Sequence, residues 1–172
     1  MRAKGKLAVY AGSFDPLTIG HLWMIEQGAR LFGDLVVAIG VNPEKRYQFS
    51  LEERLEMLLA AAKRFRNVKI GSFGNQFLIT YAKSMGATHI LRGIRSESDY
   101  EYERVMRNIN GDLSGEITTV FLMPPRDIAE ISSSMVKGLI GPAGWEAIVK
   151  EYVPPAVFGR LVKAHHASAK SR

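Results

Sequence analysis

Three segments combine residue types suited to holding phosphate. The first is Gly12–Ser13–Phe14–Asp15–Pro16–Leu17–Thr18–Ile19–Gly20–His21, between an apolar run and a helical pattern. Gly12 and Gly20 let backbone approach a ligand closely. The N–H groups and dipole of a helix start favour an anion there, and His21 can donate a hydrogen bond to a phosphate oxygen. The plainer reading is a turn followed by a core-facing histidine. Thr-x-Gly-His weighs against it by placing a hydroxyl and an imidazole at one anion pocket.

The second segment is Arg92–Gly93–Ile94–Arg95. Two guanidiniums flanking a glycine suit bidentate phosphate contact and keep their charge at any working pH; the alternative is a pair of surface arginines in a turn. Glu101 and Glu103 follow, readable as a solvated face or as partners of Arg104 or Arg107. The third is Pro124–Pro125–Arg126–Asp127–Ile128–Ala129–Glu130–Ile131–Ser132–Ser133–Ser134, with Lys137 one turn on. Its serines are either an N-cap with spares or hydroxyls for a triphosphate. Lys45 and Arg46 sit in a loop after the second apolar run, a surface loop by default and a candidate site for a second anion.

These segments need a scaffold that gathers them. Lys6–Ala11, Leu35–Gly40, Val68–Ser72, Thr88–Leu91 and Thr118–Leu122 read as strands, mostly continuous apolar runs as expected when both sheet faces are covered. Helical patterns lie between them: Leu22–Phe32; from the Ser50–Glu53 capping box to about Phe65; Gln76–Met85, stopped by Gly86; and from a Ser98–Glu101 box to about Asn110. Helices at Ser134–Ile140, about Trp145–Tyr152 and Pro155–His165 follow the last strand. The alternation predicts an α/β fold: a doubly wound, Rossmann-like five-stranded parallel sheet with helices on both faces and a C-terminal helical extension. Ligands of such sheets bind beyond the carboxyl ends of the strands, where all three segments fall.

The 172 residues suit one domain, 1–172, with disorder expected at about 1–5 and 165–172. Hydrophobic residues at 47% place the chain in the globular range. The apolar run after the basic start stops at Gly12–Pro16 and reads as a strand rather than a signal peptide. No run reaches the ~20 apolar residues of a membrane span. The absence of cysteine excludes a disulfide framework and thiolate metal sites, and a cytoplasmic location is expected. The net charge of +6 invites a nucleic-acid reading, but Arg2, Lys4, Lys6, Lys163, Lys170 and Arg172 carry it. Setting those six aside leaves 17 Lys and Arg against 17 Asp and Glu. A nucleic-acid binder should carry its charge on the fold, so none is expected as a partner.

Taken in order and spacing, AGSFDPLTIGH, NPEK with FSLEER, RGIR with SDYEYE, VFLMP and ISSSMVK resemble the phosphopantetheine adenylyltransferase family of the Thr/His-x-Gly-His nucleotidyltransferase superfamily. The resemblance runs from about Leu7 to Lys137. Lys137 supports it, because relatives acting on other substrates usually carry Arg at that place. It implies transfer of AMP from ATP to 4′-phosphopantetheine, giving dephospho-coenzyme A and pyrophosphate in coenzyme A biosynthesis. It further implies catalytic roles for His21, Lys45 and Arg95, with Lys45 bridging the attacking phosphate and the α-phosphate. ATP would be held by Ser13, Phe14, His21, Gly93, Ile94, Arg95, Glu103 and the stretch Ile128, Ala129, Glu130, Ile131, Ser132, Ser133 and Ser134. The acceptor would be held by Ser13, Lys45, Leu78 and Arg92. Mg²⁺ held mainly by ATP phosphates and water, a homohexamer, and coenzyme A as a feedback ligand are implied too. The family often has two lysines and a proline where this chain has Lys45–Arg46–Tyr47, and Ser72–Tyr81 is one residue longer than the family pattern. Two alternatives stay open: a related transferase with another acceptor, such as nicotinamide mononucleotide or a sugar or alcohol phosphate, and a non-catalytic nucleotide sensor or nucleic-acid binder.

Overall fold

The computed structural model describes residues 5–170. Its five strands are β1 (Leu7–Gly12), β2 (Asp34–Val41), β3 (Val68–Gly74), β4 (His89–Gly93) and β5 (Thr118–Leu122). All pair in parallel, in the order β3-β2-β1-β4-β5. The chain winds outward from β1 to β3 and returns to the other side of β1 for β4. β1 and β4 therefore flank the switch point, and the crevice beyond their carboxyl ends is where such a sheet takes a ligand.

Alternation along the strands builds two apolar layers. Ala8, Tyr10, Leu35, Val37, Ile39 and Leu91 face one side and pack with α1 (Ile19–Leu31), α2 (Leu51–Ala62) and the C-terminal helices α6 (Ser133–Leu139), α7 (Trp145–Val149) and α8 (Pro155–Lys170). Val9, Ala11, Val36, Ala38 and Ile90 face the other side, against Ile79, Tyr81 and Ala82 of α3 (Leu78–Ser84). The long amphipathic α4 (Glu97–Leu113) and the single-turn α5 (Arg126–Ala129) complete the chain.

Several boundaries move from their expected places. Arg92 and Gly93 belong to β4 rather than following it, because β5 extends far enough to pair them with Phe121 and Leu122. α1 starts at Ile19 instead of Leu22, since Thr18 is its N-cap. α2 ends at Ala62, short of Phe65, and α3 is trimmed to Leu78–Ser84. Ser96, not Ser98, caps α4: its backbone is extended and its hydroxyl accepts from the Asp99 N–H at 3.2 Å. α4 continues to Leu113, past the expected Asn110. α6 begins at Ser133, capped by Ser132, and α5 is an extra turn in a stretch for which no helix was expected. α8 runs to Lys170, so residues 165–170 are helical where disorder was expected. No Gly or Pro follows Gly159 to stop it, and Val157 and Leu161 anchor it in the core. Residues 1–4 and 171–172 of the expected frayed ends lie outside the described residues.

Candidate active site

The β1–α1 turn is held from several directions. Thr18 and His21 form a reciprocal cap: the Thr18 hydroxyl accepts from the His21 backbone N–H at 3.4 Å, and the Thr18 N–H donates to Nδ1 of His21 at 3.1 Å. The hydroxyl also lies 2.9 Å from Nδ1. A backbone N–H can only donate, so Nδ1 must be bare and a neutral ring must carry its proton on Nε2. Removal from water, aided by the Arg95 charge, lowers the His21 pKa to about 4. At neutral pH His21 is thus an uncharged Nε2–H donor at a helix start. Phe14 sets its edge near this ring, with centroids 5.1 Å apart, and takes a left-handed backbone with φ of 49°. The first N–H of α1, at Ile19, goes to the Tyr152 carbonyl, so the C-terminal segment helps close this helix end.

β4 and the turn after it supply the arginines, and α4 their carboxylate partners. Arg92 donates through Nε to both oxygens of Glu103 at 2.9 Å, through Nη2 to the same carboxylate, and through Nη1 to the Ala11 carbonyl at 3.0 Å. Burial works against the guanidinium charge, but the bond to Glu103 and its charge outweigh it and raise the Arg92 pKa. Arg95 pairs with Asp99 through Nε at 2.9 Å and Nη2 at 3.2 Å, and that bond likewise raises its pKa. Burial disfavours the Asp99 charge, yet Arg95 holds its carboxyl below the usual range.

The serine segment docks on the first turn. Ser132 caps α6, Ser133 donates to the Pro16 carbonyl at 2.8 Å, and Lys137 lies 3.4 Å from the Asp15 carboxylate. Gly20 makes the close approach possible: a Cβ there would lie 3.2 Å from the Ile131 carbonyl oxygen.

These parts enclose one cavity of about 570 Å³ at the switch point. Of the residues singled out in sequence, Ser13, Phe14, His21, Lys45, Arg92, Gly93, Arg95, Glu103, Ile128, Ile131, Ser132, Ser133, Ser134 and Lys137 line it. Ile94, Ala129 and Glu130 do not; the Ile94 N–H is spent on the Leu122 carbonyl, extending the sheet. Leu78 lines an adjoining groove of about 220 Å³ that shares Ser13 and Arg92 with the main cavity. A second side cavity of about 470 Å³ lies along Ser13, Lys45 and Phe77. Sequence reasoning missed Tyr10, Met24, Tyr47, Asp99 and Tyr102 in the lining, and gave Asp15 and Pro124 no role of their own within their segments. Only Asp99 had a usable signal, its (i, i+4) spacing from Arg95.

Of the basic groups lining the cavity, Arg92, Arg95 and Lys137 each face a carboxylate, whereas Lys45 and Arg46 have no ion pair among the described residues. Among the described residues no group of three or more His, Asp or Glu could hold a metal ion. The carboxylates at the cavity, Asp15, Asp99 and Glu103, are engaged by N–H donors or cations. This donor set is compatible with a divalent ion carried in on substrate phosphates and water.

A parallel sheet whose switch-point crevice carries a Thr-x-Gly-His helix start, arginines and a serine segment defines a nucleotidyltransferase. The sequence pattern of the Cytidylyltransferase-like family matches residues 9–139. The phosphopantetheine adenylyltransferase of Chromobacterium violaceum is 54% identical over 160 residues, spanning 93% of this chain and 98% of that protein. That of Neisseria meningitidis serogroup B is 58% identical over 158 residues, spanning 92% and 93%, and that of Heliobacterium modesticaldum is 40% identical, spanning 92% of each. In fold, the chain is similar to the Plasmodium falciparum nicotinic acid mononucleotide adenylyltransferase solved with NaAD, with a TM-score of 0.65 at 18% identity over 92% of this chain and 95% of that one. The chain belongs to the cytidylyltransferase-like family and, within it, to the phosphopantetheine adenylyltransferases.

Proposed function

We propose that this protein transfers AMP from ATP to 4′-phosphopantetheine, forming dephospho-coenzyme A and releasing pyrophosphate in coenzyme A biosynthesis. The observation that carries the reading is the single cavity joining His21, Arg95 and Ser132–Ser134 to Lys45, with side grooves that share Ser13. A triphosphate fits between the serine segment and the arginines. An extended acceptor fits along the grooves past Leu78 and Phe77, with its phosphate at Lys45.

An oxygen of the acceptor phosphate attacks the α-phosphorus of ATP; the new P–O bond forms as the bond to the bridging oxygen breaks, and pyrophosphate leaves. The nucleophile is already an anion, so no strong base is needed. Catalysis then rests on holding two anions in line and offsetting charge as it shifts. The neutral His21 donates its Nε2 proton in a hydrogen bond to an α-phosphate oxygen. Lys45 bridges the two reacting phosphates, and Arg95 exchanges Asp99 for the triphosphate. Mg²⁺, brought in on the ATP phosphates with water as its remaining ligands, would supply charge neutralisation at the leaving pyrophosphate. A homohexamer in the cytoplasm, and coenzyme A as a ligand of the same cavity, complete the reading.

Pyrophosphate release from ATP by the purified protein tests it. Release should require both 4′-phosphopantetheine and Mg²⁺ and stop with EDTA. Equal release without the acceptor, or turnover only with nicotinamide mononucleotide or another phosphate acceptor, would overturn it.

A further inference from the structure

The loop from Asn42 to Gln48 joins β2 to α2 and carries Lys45, yet it buries little of itself. Asn42 through Arg46 are exposed, and Tyr47 is the first residue to turn partly inward. Two short-range bonds fold the segment on itself: the Glu44 N–H donates to the Asn42 side-chain carbonyl at 2.9 Å, and the Lys45 N–H to the Asn42 backbone carbonyl at 3.1 Å. What ties this turn to the rest of the protein is Tyr47. Its hydroxyl accepts the Asn42 N–H at 2.9 Å, closing the loop into a ring.

The Tyr47 ring is itself fixed by Arg54. The guanidinium carbon lies 3.9 Å from the ring centroid. Arg54 is only 2% exposed, and its hydrogen bonds go to carbonyl oxygens: Ser50 at 3.3 Å and Ser13 at 2.9 Å. A buried cation answered by carbonyls and one aromatic face is costly to keep. Here it joins Ser13, on one wall of the cavity, to Tyr47, under the Lys45 turn. Asp15 fixes the far side of the same loop, accepting from the Gln48 and Phe49 N–H groups at 2.9 and 3.0 Å.

We infer that Tyr47 and Arg54 form a clasp that positions Lys45 relative to Ser13, so that the acceptor-phosphate end of the cavity is set before substrate arrives. Both are positioning residues that act through Lys45, and the inference rests on the role given to Lys45 above. An unclasped loop would leave Lys45 to sample open solvent, lowering the fraction of complexes with both phosphates bridged.

Tyr47→Phe keeps the ring on Arg54 and removes the bond to Asn42. One hydrogen bond of this kind corresponds to a factor of about 2–13, so kcat should fall by about that factor with the KM for ATP unchanged. Amide exchange at Asn42, Glu44 and Lys45 should quicken, with the melting curve little altered. In a Lys45→Ala background the same substitution should change kcat less than about twofold, because a residue acting through Lys45 has nothing left to act on. An equal loss in both backgrounds, or no loss in either, overturns the inference. Arg54→Lys, which weakens the stack and the Ser13 contact, should show the same dependence on Lys45. If wild-type protein is inactive with ATP and acceptor, the function reading fails while amide exchange still decides the clasp: unchanged exchange in Tyr47→Phe rejects it.

Discussion

The Thr18 N–H lies 3.1 Å from Nδ1 of His21, and this contact decides which hydrogen the imidazole offers the cavity. With Nδ1 accepting, Nε2 keeps its proton and His21 works uncharged, its pKa lowered to about 4 by burial and by Arg95. Turnover should therefore show no inflection near pH 6.5 from this residue. An assigned His21 resonance should titrate near pH 4, and a midpoint above 6 would reject the neutral-donor reading. Replacing His21 by Ala should lower kcat by roughly 10²–10³, as for loss of one oxyanion-type donor.

The same shift links stability to pH. An unfolded histidine takes a proton near pH 6.5, whereas folded His21 resists it to about 4. Between those values the unfolded state binds more protons, so the contribution is fully present above about pH 6.5 and is lost as pH falls toward 4. It amounts to at most about 3 kcal/mol. Urea midpoints of wild type and His21→Gln, compared from pH 7 to 4.5, isolate it from His89, whose pKa burial and Lys6 also lower. The wild type should lose stability relative to the variant on acidification; a constant difference would contradict the linkage.

Arg92 and Glu103 form the most enclosed ion pair at the cavity, with Glu103 only 7% exposed. Removing one partner strands a charge, so Glu103→Ala should cost about 3–5 kcal/mol in urea unfolding. Replacing both by apolar residues, Arg92→Met with Glu103→Leu, should recover much of that stability and none of the turnover. Recovery of activity as well would mean that Arg92 serves the fold alone.

The strand pattern was readable because β1 and β2 are continuous apolar runs, and Gly12–His21 because its residues are local to one turn. Pairings between distant residues were not readable. Glu103 looked like a helix-face acid near Arg104 and Arg107, and only the fold brings Arg92 of β4 to it. Asp15 sat in a turn whose sequence says nothing of the Phe49 N–H, 34 positions on. Ser96 and Ser98 each stand three residues before an acid, so the sequence holds two overlapping cap patterns; the acceptance of the Asp99 N–H by Ser96 selects one. Arg54 carried no signal of burial inside the amphipathic pattern of α2.

Two helical glycines should respond to alanine in opposite directions. Alanine favours a helix over glycine by about 1 kcal/mol. At Gly111 a Cβ would meet nothing within 4 Å, so Gly111→Ala should stabilise by about that amount. At Gly28 a Cβ would come within 2.8 Å of Leu91 and 2.9 Å of Leu35, both fully buried. Overpacking of about 1–3 kcal/mol should outweigh the helix gain there. Gly28→Ala should then melt a few degrees lower and Gly111→Ala a few degrees higher, about 2–4 °C per kcal/mol for a chain of this size. The same sign at both sites would refute the packing argument.

Gly20 poses the corresponding test for activity. Its absent side chain lets the start of α1 lie against the Ile128–Ser134 segment, and a Cβ would sit 3.2 Å from the Ile131 carbonyl oxygen and 3.7 Å from that of Ile128. Backbone oxygens cannot rotate aside as a flexible side-chain end can. Gly20→Ala must therefore push the serine segment outward by a few tenths of an ångström. The Ser133–Pro16 bond would stretch, and Ser132–Ser134 would move relative to His21. Misplacement of about 1 Å can cost as much as 10² in rate, so a shift of this size should lower kcat/KM for ATP by about tenfold. The helix gain offsets part of the strain, so melting should move far less than activity. Steady-state kinetics beside a thermal melt checks the ratio. Full activity in Gly20→Ala would show that the close approach of α1 to the serine segment is packing alone.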